Sequence, residues 1–368
     1  MTETTAATGL TVQQWDDKFF VEHVQGNRFA GEMGKTQNSI IQVKEDLTKA
    51  KGDSLTFALV NRLSGAGVED GATLEGNEED LDSRSFKLTI NERANGVRST
   101  TWTNQISSID LRKAAKAALK TWSLENTRDR IINALASKNG ASLVGLSEAN
   151  RDIWLVDNAD RVLFGDAVGN NAANDFSAAL TAVTSAMTLG TAEISLMKRI
   201  AKTASPKIRP VSDSKAQNGR EYYTLYVPSL IFRDLQGDTA MQNAQREVSL
   251  KPENSQLFKG GDLMWDGVII KEIEDMGIAE VNGLHASDGA SSIDVAECYL
   301  CGAQAVGYGI ASRWKSAEEL FDYGRKKGCA IMEMGNFEKL TFGSGSGDTD
   351  DLKDHGVVTG VFASIADA

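Results

Sequence analysis

The sequence predicts an α+β fold in which one long helix forms a spine and strand-rich segments lie on either side of it. Three observations predict this. Residues 110–137, DLRKAAKAALKTWSLENTRDRIINALAS, carry apolar residues at helical spacing with no Gly or Pro to interrupt them. Before them, two alternating segments flank an acidic loop, the pattern of a hairpin. After them, a helical pattern at 189–204 is followed by strand-like runs at 222–227, 267–273 and 357–364.

In the spine segment, Leu111, Ala115, Ala118, Leu119 and Trp122 build one apolar stripe, and Arg112, Lys113, Lys116 and Lys120 fill the opposite face. A second apolar set, Leu124, Ile131, Ile132 and Leu135, is rotated from the first, so the helix is expected to rest on two neighbours. Ser107, Ser108 and Asp110 are candidate caps, because their oxygens can accept from the free N–H groups of the first turn. Asn139-Gly140 supplies a left-handed stop. At ~1.5 Å per residue the helix is a rod of about 40 Å.

The chain has 368 residues, enough for roughly two or three domains. Its hydrophobic fraction of 41% and charged fraction of 24% are those of an ordinary globular protein. No apolar run reaches the ~20 residues of a transmembrane helix. The N-terminus, MTETTAATGLTVQQWDDKFF, lacks a basic-then-apolar leader, so cytoplasmic synthesis and assembly are expected. A net charge of −12 argues against a surface built to grip phosphates, though not against a protein that encloses nucleic acid.

Three cysteines give no disulfide framework. Cys298 and Cys301 form a C-x-x-C inside ECYLCGAQAVGYGIA, which reads as a small-residue helix; with only Cys329, His285 and His355 left as partners, buried structural thiols are expected and no metal site. GEMGKT at 31–36 lacks the glycine five positions before Gly34 that a phosphate loop requires, and no strand precedes it. Residues 1–50 therefore read as an extended arm with a short helix. GSGSG at 343–347 has Gly345 where a nucleophile elbow needs Ser. Nothing assembles a nucleophile, base and oxyanion donors, so no enzyme and no cofactor is expected.

From Gly52 the texture changes. Leu55, Phe57 and Leu59 alternate with polar or small residues, and Phe86, Leu88 and Ile90 do so in a returning strand. Between them lies a loop with Glu69, Asp70, Glu75, Glu78, Glu79, Asp80 and Asp82, without the acid spacing of an EF-hand. A two-stranded hairpin is marginal alone in water, so its edges call for a cover, most simply another copy of the chain. Residues 140–188 are mixed and Gly/Asn-rich and read as a surface insertion. All four prolines lie between Pro206 and Pro252, marking turns and element boundaries.

Gly52-Asp53-x-Leu55-x-Phe57, Arg62-Leu63-Ser64-Gly65 and Gly71-x-x-Leu74-Glu75-Gly76-Asn77-Glu78-Glu79 resemble the amino-terminal signature of the major capsid proteins of N-four-type tailed phages. Further matches follow in order: Arg233-Asp234-Leu235 after a strand and Pro228, Phe258-Lys259-Gly260-Gly261, and Trp265-Asp266-Gly267-Val268. Gly302-Ala303-Gln304-Ala305 falls in a small-residue helix, Asp322-Tyr323-Gly324 in a turn, and Asp354-His355-Gly356-Val357 precedes a closing strand. The resemblance implies the Hong Kong 97-like phage capsid fold. Its parts would be an N-terminal arm (1–50), an extended hairpin loop (51–107) and a peripheral domain (108–215) holding the spine helix and the insertion. An axial domain (216–344) and a C-terminal strand returning to the peripheral domain (345–368) would complete it.

The implied function is that of a major capsid protein self-assembling, as hexamers and pentamers, into the icosahedral head of a tailed bacteriophage. It would enclose double-stranded DNA without sequence-specific binding or a membrane. Portal and, in some members, scaffold or decoration proteins are the implied partners; the virion is the location, reached after assembly in the host cytoplasm. The inter-subunit contact would be made by Glu75, Asn77, Glu78, Glu79 and Arg62. An encapsulin-like nanocompartment shell and, from another class, a nucleotide-binding enzyme built on GEMGKT are the alternatives.

Overall fold

The computed structural model describes residues 27–48, 52–60, 67–69, 73–75, 78, 83–107, 109–138, 140–212, 221–249, 262–343 and 353–364. The chain divides into two compact units. Of the described residues, the smaller takes Glu92–Asn126 and Ser312–Met334, and the larger takes the remainder.

The larger unit is organised by an eight-stranded mixed sheet. Its main path runs Leu263–Trp265, Val268–Ile273, Glu221–Pro228, Val295–Cys301, Val357–Ala363, Val162–Phe164. Glu221–Pro228 pairs in parallel with Val268–Ile273 and antiparallel with Val295–Cys301, placing Leu225 opposite Ile270 and Leu300. Every residue of Val295–Cys301 and of Val357–Ala363 is buried. One sheet face packs on the helix Thr191–Thr203 through Ile194, Met197 and Ala201, in a core that includes Ile131, Ile132 and Leu135 of the spine. A second core joins Val295, Val361 and Ala363 to Trp154, Leu155, Phe164, Phe176 and Leu180.

That burial corrects two expectations. ECYLC was expected in a helix; it forms the strand Val295–Cys301, and Gly302–Ala305 is a turn. A strand covered on both faces has no polar alternation, so its apolar run reads equally well as a buried helix. Residues 140–188, expected as a surface insertion, instead supply the helices Glu148–Asn158 and Phe176–Ala182 and the edge strand Val162–Phe164. Trp154 and Phe176 meet edge to face with ring centroids 6.1 Å apart.

The described part of the expected arm is also packed. Phe29, Ile40 and Ile41 are buried, with the Phe29 ring 4.7 Å from that of Tyr226. Ile41–Lys44 adds in parallel to Val306–Gly309. GEMGKT covers a single 3-10 turn and the short strand Met33–Gly34; Glu32 pairs with Lys271 at 2.5 Å and Lys35 with Glu45 at 2.5 Å, so it is no phosphate cradle.

The expected hairpin is present, with Ser54–Val60 antiparallel to Ser83–Thr89 and Phe57 opposite Phe86. It does not wait for another copy to bury an apolar face. Phe57, Phe86 and Leu88 are buried in a core with Leu340 and Phe342, and Leu55 is buried as well. Gly307 and Gly309 permit the seat: a Cβ at Gly307 would stand 3.0 Å from the Phe57 ring, and one at Gly309 2.8 Å from Leu88. Each such side chain removed from water is worth roughly 1.5–3 kcal/mol, which outweighs the marginality of a lone hairpin.

In the smaller unit, Glu92–Thr100 runs antiparallel to residues 326–334, which belong to the long strand Lys326–Lys339. The spine helix spans Leu111–Leu135 and passes from this unit into the larger one. Ile131, Ile132 and Leu135 of the second stripe are buried, but Leu124, placed in the same stripe, is exposed, and of the first stripe Leu119 is buried while Ala118 is exposed. The Trp122 ring meets that of Trp314 edge to face at 5.8 Å.

Asp110 caps the spine: its Oδ1 accepts from the backbone of Arg112 at 3.1 Å and Lys113 at 3.2 Å. The Asp110 carboxyl is accordingly held below its ordinary pKa, chiefly by the Lys113 N–H. Asp110→Ala is expected to lower the midpoint of a denaturant unfolding curve, because the first-turn N–H groups lose their acceptor. Ser107 accepts only locally, from Ile109, and Ser108 lies outside the described residues. Gly140, expected as a helix stop, sits at φ +77 in the tight turn between Ser137–Lys138 and Ala141–Ser142.

Candidate assembly surface

The strands Ser54–Val60 and Ser83–Thr89 pair as far as Val60 opposite Ser83, so the intervening acidic segment departs from that end of the hairpin. Glu75 and Glu78, two of the five expected contact residues, are exposed. Asn77, Glu79 and Arg62 lie outside the described residues. Leu74 beside Glu75 is also exposed.

Cations are gathered in the smaller unit. Arg112 and Lys116, one helical turn apart on the spine, both bind the Glu318 carboxylate, Lys116 at 2.5 Å. Their hydrogen bonds, that of Lys116 foremost, hold the Glu318 carboxyl below its ordinary pKa. Lys113 and Lys120, on the same helix, are exposed. The charged face seen in the sequence is therefore divided between an internal tie and an open surface.

Other constellations that could suggest chemistry are explained by the fold. Glu148, Asp152 and Asp175 form a group of carboxylates close enough for a cation. Each already accepts from the backbone at the start of the Phe176–Ala182 helix: Asp152 from Phe176 and Glu148 from Ser177, both at 2.8 Å, and Asp175 from Ala178 at 2.9 Å. They cap that helix. Cys298 and Cys301 are three residues apart on one strand, so their side chains leave opposite faces and cannot form one site. Both are buried, and burial raises their thiols above the ordinary range.

Two buried polar nodes gave no signal in the sequence. In the first, His285 Nε2 lies 2.9 Å from Glu297 Oε1, and the Tyr299 hydroxyl donates to the same carboxylate. Burial alone would lower the imidazole pKa, but Asp288 and Glu297 outweigh it and raise it to about 9. This group ties Leu284–His285 to Val295–Cys301.

In the second node, Lys339 Nζ lies 2.7 Å from Asp354 Oδ2, with both side chains 2% exposed. Arg161, also buried, donates to the Asp354 carbonyl and, at 3.0 Å, to that of Ser205. The Asp354 N–H donates to Asn158 Oδ1 at 2.8 Å. His355 follows, its ring edge-on to Phe342 at 5.1 Å. Among the described residues no helix is long and apolar enough to cross a membrane.

The comparisons give the chain a structural role. The family model described as phage capsid protein matches residues 3–364. The major capsid protein of Pseudomonas phage KPP25 is 27% identical over 334 residues, 87% of either chain. The capsid asymmetric unit of cyanophage Pam1 superimposes with a TM-score of 0.86 at 33% identity, covering 100% of both chains. The capsid of Ralstonia phage GP4, 19% identical with a TM-score of 0.74 over 100% of both chains, shares the fold. By the family match over nearly its whole length, the chain belongs to the phage capsid proteins, as a major capsid protein whose role is structural and not enzymatic.

Proposed function

We propose that copies of this chain close into an icosahedral head of the Hong Kong 97-like type, as in N-four-type tailed phages, around double-stranded DNA. The observation that carries the reading is the end-to-end match to a capsid asymmetric unit at 33% identity. The experiment is electron microscopy of the purified full chain beside its sedimentation profile. Uniform closed shells are expected; a monomer at every concentration, with and without co-expressed scaffold, would count against it.

In this reading the hairpin loop (51–107) reaches onto a neighbouring copy, with Glu75, Asn77, Glu78, Glu79 and Arg62 at the contact. Its carboxylates meet cations of that copy, for which the exposed Lys113 and Lys120 are of the right chemistry. Many such modest contacts, engaged together, hold a shell far more firmly than any pair. Replacing Glu75, Glu78 and Glu79 together with lysine is expected to abolish shell formation while the subunit melts within about 1 kcal/mol of wild type, because Glu75 and Glu78 are exposed. Electron microscopy and a thermal melt read the two effects separately.

In this reading the DNA is enclosed but not gripped. With a net charge of −12, the free subunit is expected to leave duplex DNA unbound at physiological salt. Assembly in the bacterial cytoplasm with a portal, and with scaffold or decoration proteins where used, belongs to the same reading. The structures that resemble the chain are phage capsids, and the enzyme alternative loses its motif to the ion pairs of Glu32 and Lys35.

A further inference from the structure

Between Ile194 and Ser212 the chain carries Lys198, Arg199, Lys202, Lys207 and Arg209 without a single Asp or Glu, in a sequence whose net charge is −12. These cations lie on the helix Thr191–Thr203 and on the extended segment that follows it. Ile194, Met197, Ile200 and Ala201 take the buried side of the helix, which leaves Arg199 and Lys202 exposed, one turn apart. Past the helix Ile208 is buried, and Lys207 and Arg209 on either side of it are exposed.

The backbone that presents these side chains is tied down along its length. The Ser205 carbonyl accepts from the buried Arg161 at 3.0 Å and from Lys353 at 2.9 Å. The Ile208 N–H donates to the Ala201 carbonyl at 3.1 Å, and the Ile208 carbonyl accepts from the Tyr223 hydroxyl at 3.1 Å. The Arg209 carbonyl accepts from the Ala303 N–H at 2.8 Å. Neighbouring acids are already matched: Asp266 holds Lys198 at 2.8 Å, and Asp160 holds Arg161 at 3.1 Å and Lys353 at 3.2 Å. Arg199, Lys202, Lys207 and Arg209 have no ion-pair partner among the described residues. Like charges set this close repel one another, so the cluster serves something outside its own chain.

We infer that this basic segment lines the interior of the shell and meets the phosphates of the enclosed duplex DNA without reading its sequence. The inference rests on the shell-forming reading above and names the surface of the chain that faces the genome. Opposite charge brings the two together, and release of the counterions condensed on the duplex supplies the free energy. Contacts to phosphate position a nucleic acid and carry no sequence information. Four cations give a contact that physiological salt all but cancels in a lone subunit, whereas a closed shell repeats it in every copy.

An acidic protein segment fits less well. None of the exposed large apolar side chains lies between 189 and 212. Val168, 50% exposed, stands at the border, where it lines the same cleft as Arg199. Stable protein contacts concentrate their affinity on Trp and Tyr anchors in desolvated pockets, and this surface carries no aromatic residue. Beside its charges it offers the exposed Ser205, whose hydroxyl is of the kind that binds phosphate oxygens.

Location is tested on shells of the full chain carrying Lys202→Cys. Cys298, Cys301 and Cys329 are buried, so a biotin maleimide marks the new thiol. Labelled shells are expected to bind streptavidin only after disruption; binding to intact shells would put the segment outside and overturn the inference. Contact is tested on the free subunit by fluorescence anisotropy with a duplex of about 20 base pairs, in a salt series starting near about 20 mM. The wild type is expected to bind at low salt with a log–log slope of about −3.6, that of four phosphate contacts. Joint replacement Arg199→Gln, Lys202→Gln, Lys207→Gln and Arg209→Gln is expected to weaken that binding about tenfold or more without lowering the melting temperature. The same loss of charge at the exposed Lys113, Lys120, Lys315 and Lys327 is expected to leave it in place. If the fourfold variant does not fold, the pairs Arg199→Gln with Lys202→Gln and Lys207→Gln with Arg209→Gln are each expected to halve the slope. A wild type that binds no duplex at low salt, or variants that bind like it, would overturn the inference, while shells seen by electron microscopy leave the proposed function standing. A wild type that forms no shell overturns that function and this inference with it. A polyglutamate peptide held more tightly than the duplex at equal salt would assign the segment to an acidic protein and also overturn it.

Discussion

Asp354→Ala is expected to cost about 3–5 kcal/mol of folding stability, the range for stripping a buried ion of its partner. Lys339 and Asp354 are each 2% exposed and 2.7 Å apart, so the lysine left behind cannot recover its hydration without local unfolding. The Asp354 backbone would still accept from Arg161 and donate to Asn158, so the loss isolates the carboxylate. The double replacement Lys339→Met with Asp354→Leu is expected to recover most of the loss, because it leaves neither charge buried. Chemical unfolding of both singles and the double closes the cycle. A single-variant cost below about 1 kcal/mol would mean that water reaches the pair.

The second large effect is an acid-side loss of stability, expected as pH falls from about 6.5 towards about 4. Burial, with the Arg161 charge nearby, lowers the His355 pKa from 6.5 to about 4. The unfolded chain therefore takes up the proton first, so this contribution is present above pH 6.5 and drains away below it. A separation of that size corresponds to up to about 3 kcal/mol, reduced to the extent that solvent reaches the partly exposed ring. His285 has the opposite sign. Its pKa, raised to about 9, gives stability that is full below pH 6.5 and lost as pH rises through 9. Melting temperature across pH should peak near neutrality, and His355→Gln should flatten the acid limb while leaving the alkaline one. An unchanged acid limb in that variant would assign the loss to carboxylates instead.

Much of the fold was readable where local chemistry and tertiary demand agree. The spine was legible because its stripe, cap and uninterrupted length all point one way. Glu221–Pro228 followed by the helix Ser229–Gly237 was legible because Pro228 marks the boundary. The central strand Val295–Cys301 was not, because burial on both faces erases the alternation that separates strand from helix. Ile40 and Ile41 were missed for a different reason: a four-residue strand is too short to show a period. Of the candidate contacts, the exposure of Glu75 and Glu78 follows from an acidic run without counter-charges. The Lys339–Asp354–Arg161 node had no sequence signal, since its members come from separate segments and meet only in three dimensions. Tyr323 was read as part of a turn motif, and only its backbone angle and exposure reveal that the turn carries it at a cost.

The strand order of the large sheet has a consequence for how the chain comes off the ribosome. Val357–Ala363 is the last described strand to be synthesised, yet it lies between Val295–Cys301 and Val162–Phe164. Until it arrives, the nascent polypeptide holds two open β-edges flanked by uncovered apolar side chains, the condition that invites aggregation. Closure also joins segments about two hundred residues apart, which places this domain among slow, non-local folders. A molecule built this way completes its central sheet only after translation has passed residue 363, so the last few dozen residues decide whether the earlier ones have a partner.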